Sequence, residues 1–258
     1  MSTAAVGGHD DRSRRAELAV NLAGITARIA AACAAAGRDE SEITLIAVTK
    51  TRPASDVLDL AALGLTDFGE NRDQEAAAKA AAVAQARAAR AGTAEVLAVT
   101  WHFIGQLQTN KASSVAGYAD VVHSVDRLRL VRALGTAARE TLPLRAGRPL
   151  TCLVQVSLDG DRARGGVPLT EFAQVADAIA AQDGLVLGGV MAVAPLGLPA
   201  EEAFAPLPAI SARARAVNPA ATMISAGMSG DLEAAVSCGA THLRIGTALL
   251  GDRTPPVL

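Results

Sequence analysis

Lys50 closes an apolar run, ITLIAVTK (43–50), immediately before Thr51-Arg52-Pro53 breaks the pattern. An ammonium tethered at the mouth of an apolar strand can lose its proton when desolvated, and the free amine then attacks an aldehyde to form a Schiff base. The competing reading is a solvent-facing lysine in a strand-to-helix loop. A second group lies late in the chain, where Ser225-Ala226-Gly227-Met228-Ser229-Gly230 and Gly246-Thr247 combine small residues with hydroxyls. Glycines let backbone N–H groups approach phosphate oxygens, and Ser225 and Thr247 can add hydroxyl donors. A tight glycine turn with Ser229 as a helix N-cap is compatible with the same residues. Asp231 and Glu233 would repel a phosphate on the axis of the following helix, so the anion is expected against the loops and Gly246-Thr247. Arg244 shares a strand face with Gly246 and points either into the mouth or outward. A guanidinium buried there needs a partner, and a heteroaromatic nitrogen is an acceptable one. Facing a pyridine, it disfavours protonation of the nitrogen and weakens the ring as an electron sink.

Other residues carry weaker signals. Asn71, after Gly69-Glu70, can offer an amide to a ligand, whereas Glu70 reads as the start of the next helix, placed to suit its dipole. The segment from Trp101 to Lys111, WHFIGQLQTNK, stands out in a chain with 2% aromatic residues. Its His102 either touches a ligand or is a hydrogen-bonded core histidine. Cys33, Cys152 and Cys238 show no CxxC or Cys/His spacing, so they are read as buried, reduced thiols, and no metal site is expected.

These residues need a scaffold that brings strand ends together. Eight β-like runs recur: 43–50, 66–70, 100–105, 120–125, 151–157, 186–193, 221–227 and 242–247. Helix-compatible stretches separate them at 55–63, 73–90, 127–140, 169–181, 201–217 and 231–238. Strand–helix alternation favours a parallel sheet, and eight units in 258 residues favour a closed (β/α)₈ TIM-type barrel. A doubly wound open sheet is the alternative, weakened because no GxGxxG turn follows the first strand. An extra N-terminal helix precedes the barrel, with Leu18, Leu22, Ile25, Ile29 and Cys33 on one face and Gly37 as its stop. The domain reading is a disordered arm at 1–12, one barrel at 13–253 and a tail at 254–258. In such a barrel the C-terminal strand ends share one face, which is where Lys50, Asn71, Ser225, Gly227, Arg244, Gly246 and Thr247 are expected to meet.

Composition narrows the partners. Net charge is −2 and basic residues are interspersed with acidic ones, so no nucleic-acid partner is expected. The uncharged stretch 184–200 is interrupted by Gly188, Gly189, Pro195, Gly197 and Pro199, so it reads as strand plus loop and no membrane partner is expected. The N-terminus is polar and lacks the apolar core of a secretory signal, which makes the cytoplasm the default compartment.

Amine, phosphate cradle and arginine on one barrel face together suggest pyridoxal 5′-phosphate (PLP). The segments IAVTKTRP, FGENRDQE, WHFIGQLQTNK, HSVDRL and SAGMSGDLEAAVSCGATHLRIGTALLG resemble the pyridoxal phosphate homeostasis protein family, over about Leu18 to Arg253. The resemblance implies a barrel like the N-terminal domain of alanine racemase, with Lys50 as the Schiff-base lysine. It also implies phosphate contacts from Ser225, Gly246 and Thr247, and Arg244 facing the pyridine nitrogen. Such proteins hold PLP and act in intracellular vitamin B6 and amino-acid homeostasis without established catalysis. A non-enzymatic monomer is therefore expected, with apo PLP-dependent enzymes as recipients. The alternative is a PLP-dependent amino-acid racemase, but the single tyrosine, Tyr118, precedes a strand instead of ending one. Two positions depart from the family, which often has lysine where this chain has Arg52 and Arg164. A guanidinium forms no imine, which puts a secondary acceptor role there in question.

Overall fold

The computed structural model describes residues 7–90, 98–161 and 165–251. Among them, eight parallel strands follow the expected runs: β1 Thr44–Val48, β2 Asp67–Glu70, β3 Thr100–Phe103, β4 Val121–Val125, β5 Leu150–Gln155, β6 Leu185–Met191, β7 Met223–Ser225 and β8 His242–Ile245. Each pairs with the next, and β8 returns to β1 with Ile46 opposite Arg244, so the sheet is a closed barrel and not an open doubly wound one. Closure removes every sheet edge.

Around it run α1 Gly7–Ala36, α2 Ala54–Ala62, α3 Asp73–Ala89, α4 Ala112–Tyr118, α5 Leu128–Thr141, α6 Phe172–Ala180, α7 Ala200–Phe204, α8 Leu207–Val217, α9 Leu232–Ser237 and α10 Thr247–Leu250. The expected helix at 201–217 is two helices, with Pro206 at the N-cap of the second. Two further helices, α4 and α10, escaped the periodicity because they have seven and four residues. Helix α1 begins at Gly7, inside the expected arm, while residues 1–6 and the expected tail 254–258 lie outside the described residues. Its apolar stripe is buried at Leu18, Ile25, Ile29 and Cys33. Gly37 ends it at φ +65°, where Arg38 N–H bonds Cys33 O and Gly37 N–H bonds Ala34 O, the two bonds of a Schellman cap. By length and composition α1 could cross a membrane, but that stripe packs against the barrel's helices α2, α9 and α10.

Two interiors result. The larger lies between sheet and helices, filled by residues such as Phe68, Phe103, Phe172 and Phe204. The smaller lies inside the barrel, where Val121, Leu153 and Met191 cluster with Val193 and Met223. Space there is tight at β6: a Cβ on Gly189, whose φ is +147°, would fall 1.9 Å from Met223 O. Ile46 adds a further apolar side chain beside Gly69, and the buried His102, His123, Ser225 and Arg244 form a polar portion.

Candidate active site at the barrel mouth

Strand β1 stops at Val48 and hands the chain to Thr49 and Lys50. Three charged side chains below fix this segment. Lys79 on α3 donates to Thr49 O at 2.6 Å and to Glu70 Oε1 at 2.5 Å, and the Thr49 hydroxyl donates to the same Glu70 oxygen at 2.7 Å. Glu75 accepts from Thr51 N–H and lies 3.4 Å from Lys79 Nζ. Glu70 is therefore the buried last residue of β2 and not the start of a helix. Burial raises its pKa despite the bonds from Lys79 and Thr49. Thr51 sits at φ +64°, a left-handed conformation that costs a β-branched residue on the order of 1–3 kcal/mol. The turn is closed by Arg52 N–H to Thr49 O at 3.0 Å, and its outcome is that Lys50 lines a cavity at the C-terminal face.

That cavity holds about 310 Å³, the lower end of the range for small-ligand sites. Lys50, Arg244, Gly246 and Thr247 line it together, with Val48 and Ile104 as apolar walls and Met228 and Ser229 from the β7–α9 loop. Among the described residues, Lys50, Arg52 and Arg244 are its charged lining residues and no carboxylate lines it. Such a concavity of uniform sign attracts an anion. Arg52 also donates to Gly251 O at 2.7 Å, which ties the Lys50 loop to the end of α10.

Arg244 is buried, and burial lowers its pKa to about 10. Its guanidinium donates to Ser225 Oγ at 2.6 Å and to Ala192 O at 3.0 Å. Ser225 is fully buried, and its oxygen also lies 2.9 Å from His123 Nδ1. This changes the reading of Ser225: its hydroxyl is occupied behind Arg244 and lines no part of the cavity, whereas Ser229 does. Ser229 is not the helix N-cap, since Asp231 holds that position and accepts from Met228 N–H at 2.5 Å. Glu233 pairs with Arg28 of α1 at 2.8 Å, and Arg28 donates to Ser229 O at 3.1 Å. Gly227 shapes the turn without lining the cavity: at φ +91° an added Cβ would lie 2.6 Å from Ala235 Cβ.

Asn71 borders a neighbouring groove with Gln106 and Lys111, not the Lys50 cavity. His102 takes the core alternative, 2% exposed, with Nε2 2.8 Å from Asp67 Oδ1 and Nδ1 2.9 Å from His123 Nε2. Tyr118 ends α4 on the outside of the barrel. Arg164 lies outside the described residues. Among the described residues no cluster of metal-ligating side chains occurs, and Cys33, Cys152 and Cys238 are free thiols. Val48, Ile104 and Met228 were missed as lining residues, because an apolar residue at a strand end carries no sequence mark distinguishing cavity wall from core.

Comparison with known proteins agrees with this geometry. The family model described as "Alanine racemase, N-terminal domain" matches residues 20–254. The pyridoxal phosphate homeostasis protein of Mycobacterium bovis is 47% identical over 245 residues, covering 93% of this chain and 94% of that protein. Among solved structures, an unknown protein from Bifidobacterium adolescentis superposes with a TM-score of 0.81 at 30% identity, covering 92% of this chain and 96% of that one. PipY of Synechococcus elongatus, solved with PLP bound, gives 0.73 at 32% identity, covering 91% and 100%. The chain belongs to the pyridoxal phosphate homeostasis protein family, built on the barrel that alanine racemase uses as its N-terminal domain.

Proposed function

We propose that the mouth cavity binds PLP and that Lys50 carries it as a Schiff base, the protein holding the cofactor for intracellular PLP and amino-acid homeostasis without substrate turnover. The observation that carries this reading is the lining: one primary amine and two guanidiniums converge on about 310 Å³ with no carboxylate among them. The donor set fits an aldehyde that also bears a phosphate dianion and a ring nitrogen. Bound there, PLP supplies an electrophilic carbonyl. Lys50 would hold the cofactor covalently through its amine. Gly246, Thr247 and Ser229 would hold the phosphate with small residues and hydroxyls, and Arg244, itself held by Ser225 and Ala192 O, would meet the ring nitrogen as a donor.

The racemase alternative needs a base on the opposite face of the ring. The chain's single tyrosine is in α4, away from the mouth, and among the described lining residues no other group offers that role. We place the protein in the cytoplasm as a monomer, in keeping with its free thiols, with apo PLP-dependent enzymes as recipients.

The test is the ultraviolet–visible spectrum of dialysed protein after incubation with PLP, beside Lys50→Ala. A Schiff-base band in the wild type alone, trapped by borohydride on the peptide containing Lys50, is the expected result. The same band in Lys50→Ala would move the lysine elsewhere, and no band in either would remove PLP as the ligand.

A further inference from the structure

The polar half of the barrel interior is one unbroken line of hydrogen bonds. Asp67 Oδ1 lies 2.8 Å from His102 Nε2, His102 Nδ1 2.9 Å from His123 Nε2, His123 Nδ1 2.9 Å from Ser225 Oγ, and Ser225 Oγ 2.6 Å from Arg244 Nη1. It starts at the first residue of β2, where Asp67 is partly exposed, and ends at the cavity. His102, His123 and Ser225 are buried, so each has only its neighbours in the line to satisfy it.

The carboxylate end fixes the protons along the line. Arginine can only donate, so Ser225 Oγ accepts from Arg244. An ionised carboxylate can only accept, so His102 Nε2 carries its hydrogen. With neutral imidazoles, His102 Nδ1 then accepts from His123 Nε2–H, His123 Nδ1 accepts, and the Ser225 hydroxyl donates to it. Each of the four bonds then has one donor and one acceptor; the carboxylate end sets the direction, and the arginine end is compatible with it because a hydroxyl oxygen can accept from Arg244 while its own hydrogen goes to His123. Burial, with the nearby Arg244 cation, holds the His123 pKa well below the ordinary value and keeps the ring neutral. Asp67 is kept ionised because the bonds from His102 and Thr66 outweigh its desolvation.

We infer that His123 and His102 are positioning residues for cofactor binding, acting through Ser225 to hold the Arg244 guanidinium against the ring-nitrogen end of the cavity. The inference rests on the proposed PLP site. Without an acceptor at His123 Nδ1 the Ser225 hydroxyl is free to rotate, its lone pairs leave Arg244, and the guanidinium keeps only Ala192 O. The hydrogen bond that Ser225 donates is thus what makes Ser225 a fixed acceptor. No atom of either histidine is needed in the cavity, so the effect belongs to orientation and charge placement rather than contact.

The full chain without cofactor, labelled with ¹⁵N-histidine and observed by NMR at pH 8, should show both His102 and His123 as neutral Nε2–H tautomers. A Nδ1–H tautomer at His123 would overturn the relay whether or not PLP binds. In PLP titrations, His123→Gln removes the acceptor facing Ser225 and should weaken affinity about tenfold, the usual size for one hydrogen bond to a charged group. It should also move the absorption band, since the ring nitrogen gains freedom to protonate. His123→Asn keeps an acceptor near the Nδ1 position and should restore most of the affinity. Ser225→Ala should match His123→Gln, and the double variant should lose no more than either alone, as residues in one network do. Full wild-type affinity and an unshifted band in both single variants would overturn the positioning role while leaving PLP binding intact. A wild type without any Schiff-base band would refute the proposed function, and the tautomers would still judge the relay. Should the variants fail to fold, those tautomers decide alone.

Discussion

The two flanks of the mouth are built by opposite means. On the β1–β2 flank, Lys50 rides on a segment held by a buried ion pair, Lys79–Glu70, and by a threonine in left-handed conformation. Glu70 Oε2 is buried there with no hydrogen-bond partner among the described residues. On the β7–β8 flank, Arg244 is held by neutral partners, Ser225 and Ala192 O, in a line in which every bond has its donor and acceptor. The difference teaches how one barrel separates two tasks. The Lys50 flank stores strain and one unpartnered carboxylate oxygen beside a paired charge, whereas the Arg244 flank has its hydrogen bonds made in advance but holds a buried cation among neutral groups, which suits it to an incoming acceptor.

Breaking the first flank should cost the most. Lys79→Met leaves Glu70 buried without its cation, and about 3–5 kcal/mol of stability should vanish in urea unfolding. Adding Glu70→Leu should recover much of that loss, since removing both charges also removes the desolvation penalty; no recovery would mean the pair matters through shape, not charge. Acid separates the flanks next. His242, bonded to Thr241 at 2.8 Å, is depressed by burial to about 4, so between that value and the ordinary 6.5 the unfolded chain binds a proton that the native chain refuses. Stability therefore falls as pH drops through this window, by up to about 3 kcal/mol from this group, and His123 pulls the same way. Glu70 opposes them, because its raised pKa lets the native state take a proton more readily than the unfolded state as pH falls through the carboxylate range. Unfolding curves at pH 7 and pH 5, repeated in His242→Asn, should show the acid loss shrink in the variant; an equal loss would place the acid sensitivity elsewhere. The smallest effect is local to the ligand. Thr247→Val should weaken PLP binding by about 1–3 kcal/mol with no change in unfolding, and unchanged affinity would turn that hydroxyl away from the phosphate.

Much of the scaffold was legible because apolar runs and helical periods are local. All eight strands and the α1 stripe follow from spacing alone, and Gly37 marks a stop by backbone chemistry, whereas the break at Pro206 was read through as one helix. Lys50, Arg244, Gly246 and Thr247 were grouped because each ends or closely follows a strand, and the barrel gathers them around one cavity. Ser225 was misread as a phosphate donor because its partner, His123, is 102 residues away. Asn71 was grouped with Lys50 because both follow strands, yet the turn at Gly105 crowds its backbone, with a Cβ there only 2.2 Å from Asn71 O, and its groove opens separately. Lys79 drew no notice on its alanine-rich helix. Its distance of nine residues from Glu70 matches no helical step, so only the packed barrel reveals the pair.

Helix α1 also holds the far side of the cavity. Arg14 bonds Leu250 O at 3.1 Å and Asn21 bonds Leu249 O at 3.0 Å, while Arg52 bonds Gly251 O at 2.7 Å. These contacts join segments roughly two hundred residues apart, and so does the β1–β8 seam. During synthesis, a nascent chain that has released its first seven strands owns Lys50 but neither Arg244 nor Thr247. Cofactor capture must wait until the last helix emerges and is fastened to the first, so possession of PLP certifies that translation has delivered a closed barrel.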